Sequence, residues 1–506
     1  MKKYQDNVWQ GSGFFHRMVM PILLLLTALL AGCNGGVDTT NGTGSTTSVS
    51  IKLNSPADIT DVSDANYDNN IHGLITGKTL KRWKDDWINQ RPAGITGKLV
   101  ILQVTPGETG YEYFQSNNLN VFTYLAASSE WVMTRSNGVI STPSLILDGP
   151  SMDAQLKKYN IDPLHDMIVI AQGTASPSNV MSQGRAWLAL HYWGVDAKHL
   201  ALLNGGNKWQ FDDSVNTGMI AADFVVAGAT APNNGIFSVK DIPVDNTSLT
   251  ATVGDMLAAV PATDTSMKGT GIFLWDARTI TQYSAGQMRE LNDGATVCPA
   301  GFAYCAASGY NYMSSFQNSG SRQGHPNGAT DLNFINLLDS TQGYSFKPKA
   351  QLASYLNGEV DASGFGMVDG SYNLVGAGNA YQPGDTVITY CETSYRAMIT
   401  GIASGVILGH PTRIYDGAMV EWNSLSNLPD ATGNDILPAN SPWRTDVKSF
   451  FMAASSAALV ATRQIIDPYA PNSNVIIAAD RAYKTPSASN TSSPSGGAAP
   501  ANPCGG

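Results

Sequence analysis

Short apolar runs with no polar alternation recur along the chain: residues 98–104 (KLVILQV), 167–171 (MIVIA) and 199–203 (HLALL), then 271–275 (GIFLW), 386–390 (TVITY) and 412–415 (TRIY). A strand that is apolar at every position buries both faces, which is the pattern of a parallel sheet covered by helices on each side. Helical periodicity lies between the last two runs of each set, opening at Arg185 (RAWLALHYW) and at Arg396 (RAMITGIA). Asn204-Gly205-Gly206 begins 19 positions after Arg185, and Asp416-Gly417 begins 20 after Arg396. The spacing therefore predicts an α/β fold of two tandem domains, each a mainly parallel sheet with helices on both faces. A turn-rich break at residues 227–235 (AGATAPNNG) and a helix-like stretch at 255–260 place the boundary, giving domains over 71–235 and 236–483.

At the N-terminus, Lys2, Lys3 and Arg17 precede a charge-free, largely apolar run at residues 18–30. The run is short for a permanent span and suits a signal segment. Leu30-Ala31-Gly32-Cys33 resembles a bacterial lipobox, which implies lipidation of Cys33 and, from that, an exported chain held at the cell envelope, with the outer membrane favoured. Residues 34–70 read as a linker, Gly-, Ser- and Thr-rich to residue 50 and then rich in Asp and Asn, and residues 484–506 read as a disordered tail. An oxidising compartment favours disulfides, so Cys298 and Cys305, within one Gly- and Ala-rich segment (CPAGFAYC), are expected to pair. Cys391 is then left as a free thiol.

Charged residues make up 14% of the 506, and the net charge is -10 with no basic block. That composition excludes the electrostatic footprint of a nucleic-acid binder. No His pair has zinc-protease spacing, and no Cys-x-x-Cys-His is present, so neither a metal nor a cofactor is implied. Gly73-Leu-Ile-Thr-Gly-Lys78-Thr79 is one residue short of a phosphate loop and follows no apolar strand.

Residues 385–422 carry the chemistry. Cys391 stands at the carboxyl end of the 386–390 strand, where open α/β sheets place their ligands. Glu392, Thr393, Ser394 and Tyr395 can wrap so that successive main-chain N–H groups point inward, and Arg396 opens the next helix with a fixed positive charge. Such a cradle favours a thiolate and would hold a persulfide on it.

The segment resembles the active loop of the rhodanese sulfurtransferases, in which a strand-end Cys starts a six-residue loop. Asp276-Ala277-Arg278 is similar to the family's Asp-x-Arg, and Gly324-His325-Pro326-Asn327-Gly328-Ala329 resembles its Gly-His-x-Pro-Gly-Ala stretch. Tyr415-Asp416-Gly417 with Trp422, and Asn204-Gly205-Gly206 with Trp209, match its Asp-Gly element in the two halves. The likeness covers roughly residues 71–480 and is nearest to the two-domain thiosulfate and mercaptopyruvate sulfurtransferases. It implies rhodanese-like domains, Cys391 as catalytic residue, residues 392–396 as the substrate-binding loop, and a first domain that walls the active site. Gln172 stands where the first half would hold its Cys, so that half forms no persulfide. Glu392 places a carboxylate beside the nucleophile and opposes a dianionic donor, and residues 285–323 read as an inserted loop. Asp276 and Asp416 are expected to cap turns, with Arg278 and His325 structural.

The expected activity is transfer of sulfane sulfur from a small anionic donor, through a Cys391 persulfide, to a thiol or cyanide acceptor. Chalcogen oxyanions such as selenite share that chemistry. The rival reading is a non-catalytic lipoprotein that uses the same scaffold to hold an anion or a partner protein of the envelope.

Overall fold

The computed structural model describes residues 51–137, 141–283, 324–424 and 475–485. Cys33, Cys298 and Cys305, the first part of the linker, the inserted loop and the tail beyond residue 485 lie outside the described residues. Among those described, no helix is long and apolar enough to cross a membrane.

In the first half, strands β1 (Gly73–Ile75), β2 (Leu99–Gln103), β3 (Val121–Leu125), β4 (Met167–Ala171) and β5 (Leu200–Leu203) form a wholly parallel sheet in the order β1-β5-β4-β2-β3. Helix α1 (Gly77–Asp85) follows β1, and helix α2 (Pro177–Tyr192) joins β4 to β5. In the second half, strands β6 (Thr250–Ala251), β7 (Ile272–Asp276), β8 (Thr330–Asp331), β9 (Thr386–Tyr390) and β10 (Thr412–Tyr415) form a second parallel sheet in the order β6-β10-β9-β7-β8. Helix α3 (Arg396–Ile402) leaves β9 and runs on as a π-helical segment, Ala403–Leu408, towards β10. Each sheet thus has its first and last strands adjacent at one edge. The protein is α/β, with parallel sheets flanked by helices.

The strands lack alternation because both of their faces are buried. Val100, Leu102, Ile168 and Ile170 point into a core shared by the two halves, and Leu99, Ile101, Met167 and Val169 point into an outer one. In the second sheet Phe273, Trp275 and Val387 enter the shared core, while Leu274, Ile388 and Tyr390 enter the outer core on the far face. Burying each such side chain contributes about 1.5–3 kcal/mol.

The halves meet where α2 packs on α3. Gly184 makes this approach possible, since a Cβ there would stand 2.3 Å from Met398 Cβ. Ala is the better helix former by up to about 1 kcal/mol. Steric overlap outweighs that gain, so Gly184→Ala is expected to destabilise by about 1–3 kcal/mol in urea unfolding. Equal or greater stability would show that the helices can separate freely.

Two segments depart from the expected boundaries. Residues 51–70, read as linker, are folded. Lys52–Leu53 pairs in parallel with Val244–Asp245, Ile59 is buried, and buried Asn70 donates to Leu74 O at 2.6 Å. The Asp and Asn residues there cap tight turns, as Asn66 does by accepting from Asp68 N, instead of marking disorder. Helix α4 (Ile476–Lys484) docks across both halves: Asp480 accepts from Arg135 at 2.6 Å and from Tyr192 at 2.7 Å, Lys484 Nζ donates to Trp193 O at 2.8 Å, and Arg481 Nε donates to Asp245 at 2.7 Å. Cuts at 235 and 483 would sever these contacts.

Candidate active site: the Cys391 loop between the two sheets

Cys391 follows β9 directly, and it is fully buried against the shared core. This corrects the expectation of a thiol presented at an open cleft mouth. Residues 417–424 fold back across the start of the loop, where Met419 N donates to Cys391 O at 3.0 Å and Val420 N donates to Glu392 O at 3.1 Å.

Beyond Glu392 the main chain changes hand. Ser394 sits at φ +66°, and Tyr395 follows at φ -69°, ψ -51°. Alternation of this kind turns successive N–H groups to one side and makes an anion-binding concavity. Among the described residues, the N–H groups of Thr393, Ser394 and Tyr395 meet no acceptor. Three donors are therefore available around the loop that begins with the sulfur.

The first half supplies the guanidinium that grips this loop. Arg185 of α2 is fully buried; its Nη1 donates to Ser394 Oγ at 3.2 Å and to Asp416 Oδ1 at 2.6 Å, and its Nη2 donates to Ser144 O at 2.7 Å. It also lies 5.7 Å from the centre of the Tyr395 ring. Asp416 accepts in addition from Ile146 N at 2.8 Å, so it bridges the halves instead of only capping its own turn. Arg396, expected to supply the cation, donates to Gln282 Oε1 at 2.6 Å, and its charge acts on Glu392.

Behind the loop lies a buried charge cluster. Asp276 accepts from the Arg278 main chain at 2.9 Å and from its Nη2 at 2.6 Å, so it caps its turn as expected. Burial works against the Arg278 charge, and its acidic neighbours, Asp276 foremost and then Glu392, more than offset it. Glu392 faces the same guanidinium at 3.4 Å; burial raises its pKa, and Arg278 and then Arg396 hold it back. The carboxylate that seemed set against the nucleophile is thus turned to a buried cation. His325 stacks on Tyr283 at 3.7 Å and meets Asp264 at 3.0 Å, a structural role.

Two participants escaped the sequence reading. Asp331 ends β8 in register with Asp276, and both of its oxygens are buried without a hydrogen-bond partner among the described residues. Burial, reinforced by Asp276, pushes its pKa well up. Its strand is only two residues long, too short for a periodicity signal, though it directly follows the Gly324–Ala329 motif. Arg185 was visible as a helix opener, but its partners are 209 and 231 positions away. Among the described residues no cluster of His, Cys, Asp and Glu could hold a metal ion.

No family model matches the chain, and no curated protein matches it. Solved structures do. The chain is similar to the anaerobic ergothioneine biosynthesis enzyme from Chlorobium limicola in complex with trimethyl histidine: 12% identity, 72% of this chain and 71% of that one, TM-score 0.42. A structure of EanB with ergothioneine covalently linked to a persulfide cysteine aligns at 11% identity over 70% and 68%, TM-score 0.42. Tum1 from Saccharomyces cerevisiae aligns at 12% identity over 70% and 95%, TM-score 0.41. Likeness at this level does not decide activity or substrate. The assignment to the thiosulfate and mercaptopyruvate sulfurtransferases as a lipoprotein is corrected accordingly: no family model carries it, and nothing in these similarities bears on a lipid anchor.

Proposed function

We propose that the protein is a sulfurtransferase-type enzyme that carries sulfane sulfur on Cys391. The observation that carries the reading is the loop itself: a cysteine at the carboxyl end of a central parallel strand, followed by three main-chain donors without acceptors around a left-handed Ser394. In the first step the Cys391 thiolate attacks the outer sulfur of a donor R–S–S⁻. The new S–S bond forms on Cys391 as the old one breaks, and R–S⁻ leaves with the bonding pair. In the second, an acceptor thiolate or cyanide attacks the same outer sulfur and restores the Cys391 thiolate. The N–H groups of residues 393–395 would bear the charge on the terminal sulfur.

Burial of Cys391 favours a second reading, in which the loop is a closed scaffold element and the protein only binds. One experiment separates the two. The intact protein is incubated with an organic persulfide or thiosulfate and then weighed, with Cys391→Ser in parallel. We expect one added sulfur that cyanide or dithiothreitol removes, and none on Cys391→Ser. An unchanged mass with every donor, in protein whose Cys391 also resists alkylation when native, would establish the scaffold reading.

A further inference from the structure

Two left-handed, non-glycine residues lie on either side of one buried guanidinium: Ser394 at φ +66° in the Cys391 loop and Ser144 at φ +60° in the first half. Left-handed geometry costs an L-residue about 1–2 kcal/mol, and such a residue persists only where its surroundings over-determine it. Here Arg185 supplies the constraint, gripping Ser394 through Oγ and Ser144 through its carbonyl. Asp416 holds Arg185 in turn at 2.6 Å while accepting from Ile146 N of the first half.

A point charge would not suffice. Arg185 reaches three oxygen partners in different directions, and a planar fork spans them where a lysine ammonium cannot. Its Nε is buried and meets no acceptor among the described residues, so these three contacts are what offsets its desolvation.

We infer that Arg185 is a positioning residue for the Cys391 loop: it couples the packing of the two halves to the hand of the main chain at Ser394, and so shapes the donor cradle. This rests on the proposed sulfur chemistry for its consequence, though its structural part stands apart from that. Without that grip Ser394 relaxes out of the left-handed region, and the N–H groups of residues 393–395 diverge. The site is then competent only while the Arg185 fork holds the loop.

The test combines hydrogen exchange, read by mass spectrometry on peptides covering residues 391–396 of the full chain, with the rate of persulfide loading at saturating donor. Arg185→Lys keeps the charge beside Asp416 and loses part of the fork. Ser394→Ala removes the gripped hydroxyl and leaves the ion pair intact, so it still reports if Arg185→Lys folds poorly. Each is expected to speed exchange of the loop about tenfold, the loss of one hydrogen bond to a charged group, and to slow loading to match. Glycine adopts positive φ without strain. Ser394→Gly introduced into Arg185→Lys is therefore expected to restore much of the loading rate, which a purely structural role for Arg185 would not produce. Unchanged loop exchange in both single variants would overturn the inference, and so would a double variant as slow as Arg185→Lys. A wild-type protein that loads no sulfur would sink the proposed function alone, since the exchange measurements would still decide whether Arg185 orders the loop.

Discussion

Arg278→Met is expected to lower the unfolding free energy by about 3–5 kcal/mol, because removing one member of a buried ion pair strands the other. Arg278 and Asp276 are both fully inaccessible, and the guanidinium meets Asp276 through Nε at 2.9 Å and Nη2 at 2.6 Å while facing Glu392 at 3.4 Å. Without it, Asp276 keeps the Arg278 main-chain N–H, and Glu392 loses the nearest cation that restrains its raised pKa. The pair contributes less than the breakage suggests, since desolvating two charges consumes most of their attraction. Arg278→Met combined with Asp276→Asn should accordingly recover part of the loss. Urea unfolding of the wild type, the single variant and the double variant measures both numbers. A single-variant loss below about 1 kcal/mol would place the cluster in the range of solvent-exposed pairs and refute its burial.

Stability should also fall as pH rises through neutrality, with Glu421 as a principal cause. Burial, reinforced by the nearby Asp416, raises its pKa to about 7 from 4.5, although Asn137 Nδ2 donates to it. A carboxyl whose folded value lies above its unfolded value favours the protonated fold. Its contribution is whole below about pH 4.5 and is lost progressively as pH climbs through about 7, a change of about 3 kcal/mol. Glu421→Gln keeps an oxygen for Asn137 and cannot ionise. Unfolding free energies at pH 5 and pH 8 should therefore differ less in the variant by about that amount. Equal differences in the two proteins would mean that Glu421 is ionised in the fold throughout.

The strands were legible wherever they were long enough to carry a pattern. Residues 98–104, 167–171 and 386–390 were read from short apolar and β-branched runs, and the sheets bury both faces of each. Gly73–Ile75 was dismissed with the incomplete phosphate loop, yet it is itself the strand that precedes α1. Thr250–Ala251 and Thr330–Asp331 are two residues long and present no period at all. Each is defined by its neighbour's hydrogen bonds instead of by its own side chains.

By itself, the sequence determined the α/β class, the position of Cys391 at a strand end and the length of the loop after it, because these depend on local periodicity and spacing. Tertiary structure alone decided that the thiol is buried, that Arg185 and not Arg396 grips Ser394, that Glu392 is turned to Arg278, and that helix α4 bridges the two halves. The physical reason is the range of the interactions. Periodicity is written in neighbours a few positions apart, whereas a guanidinium finds its carboxylate 231 positions away only after two helices have packed through a glycine.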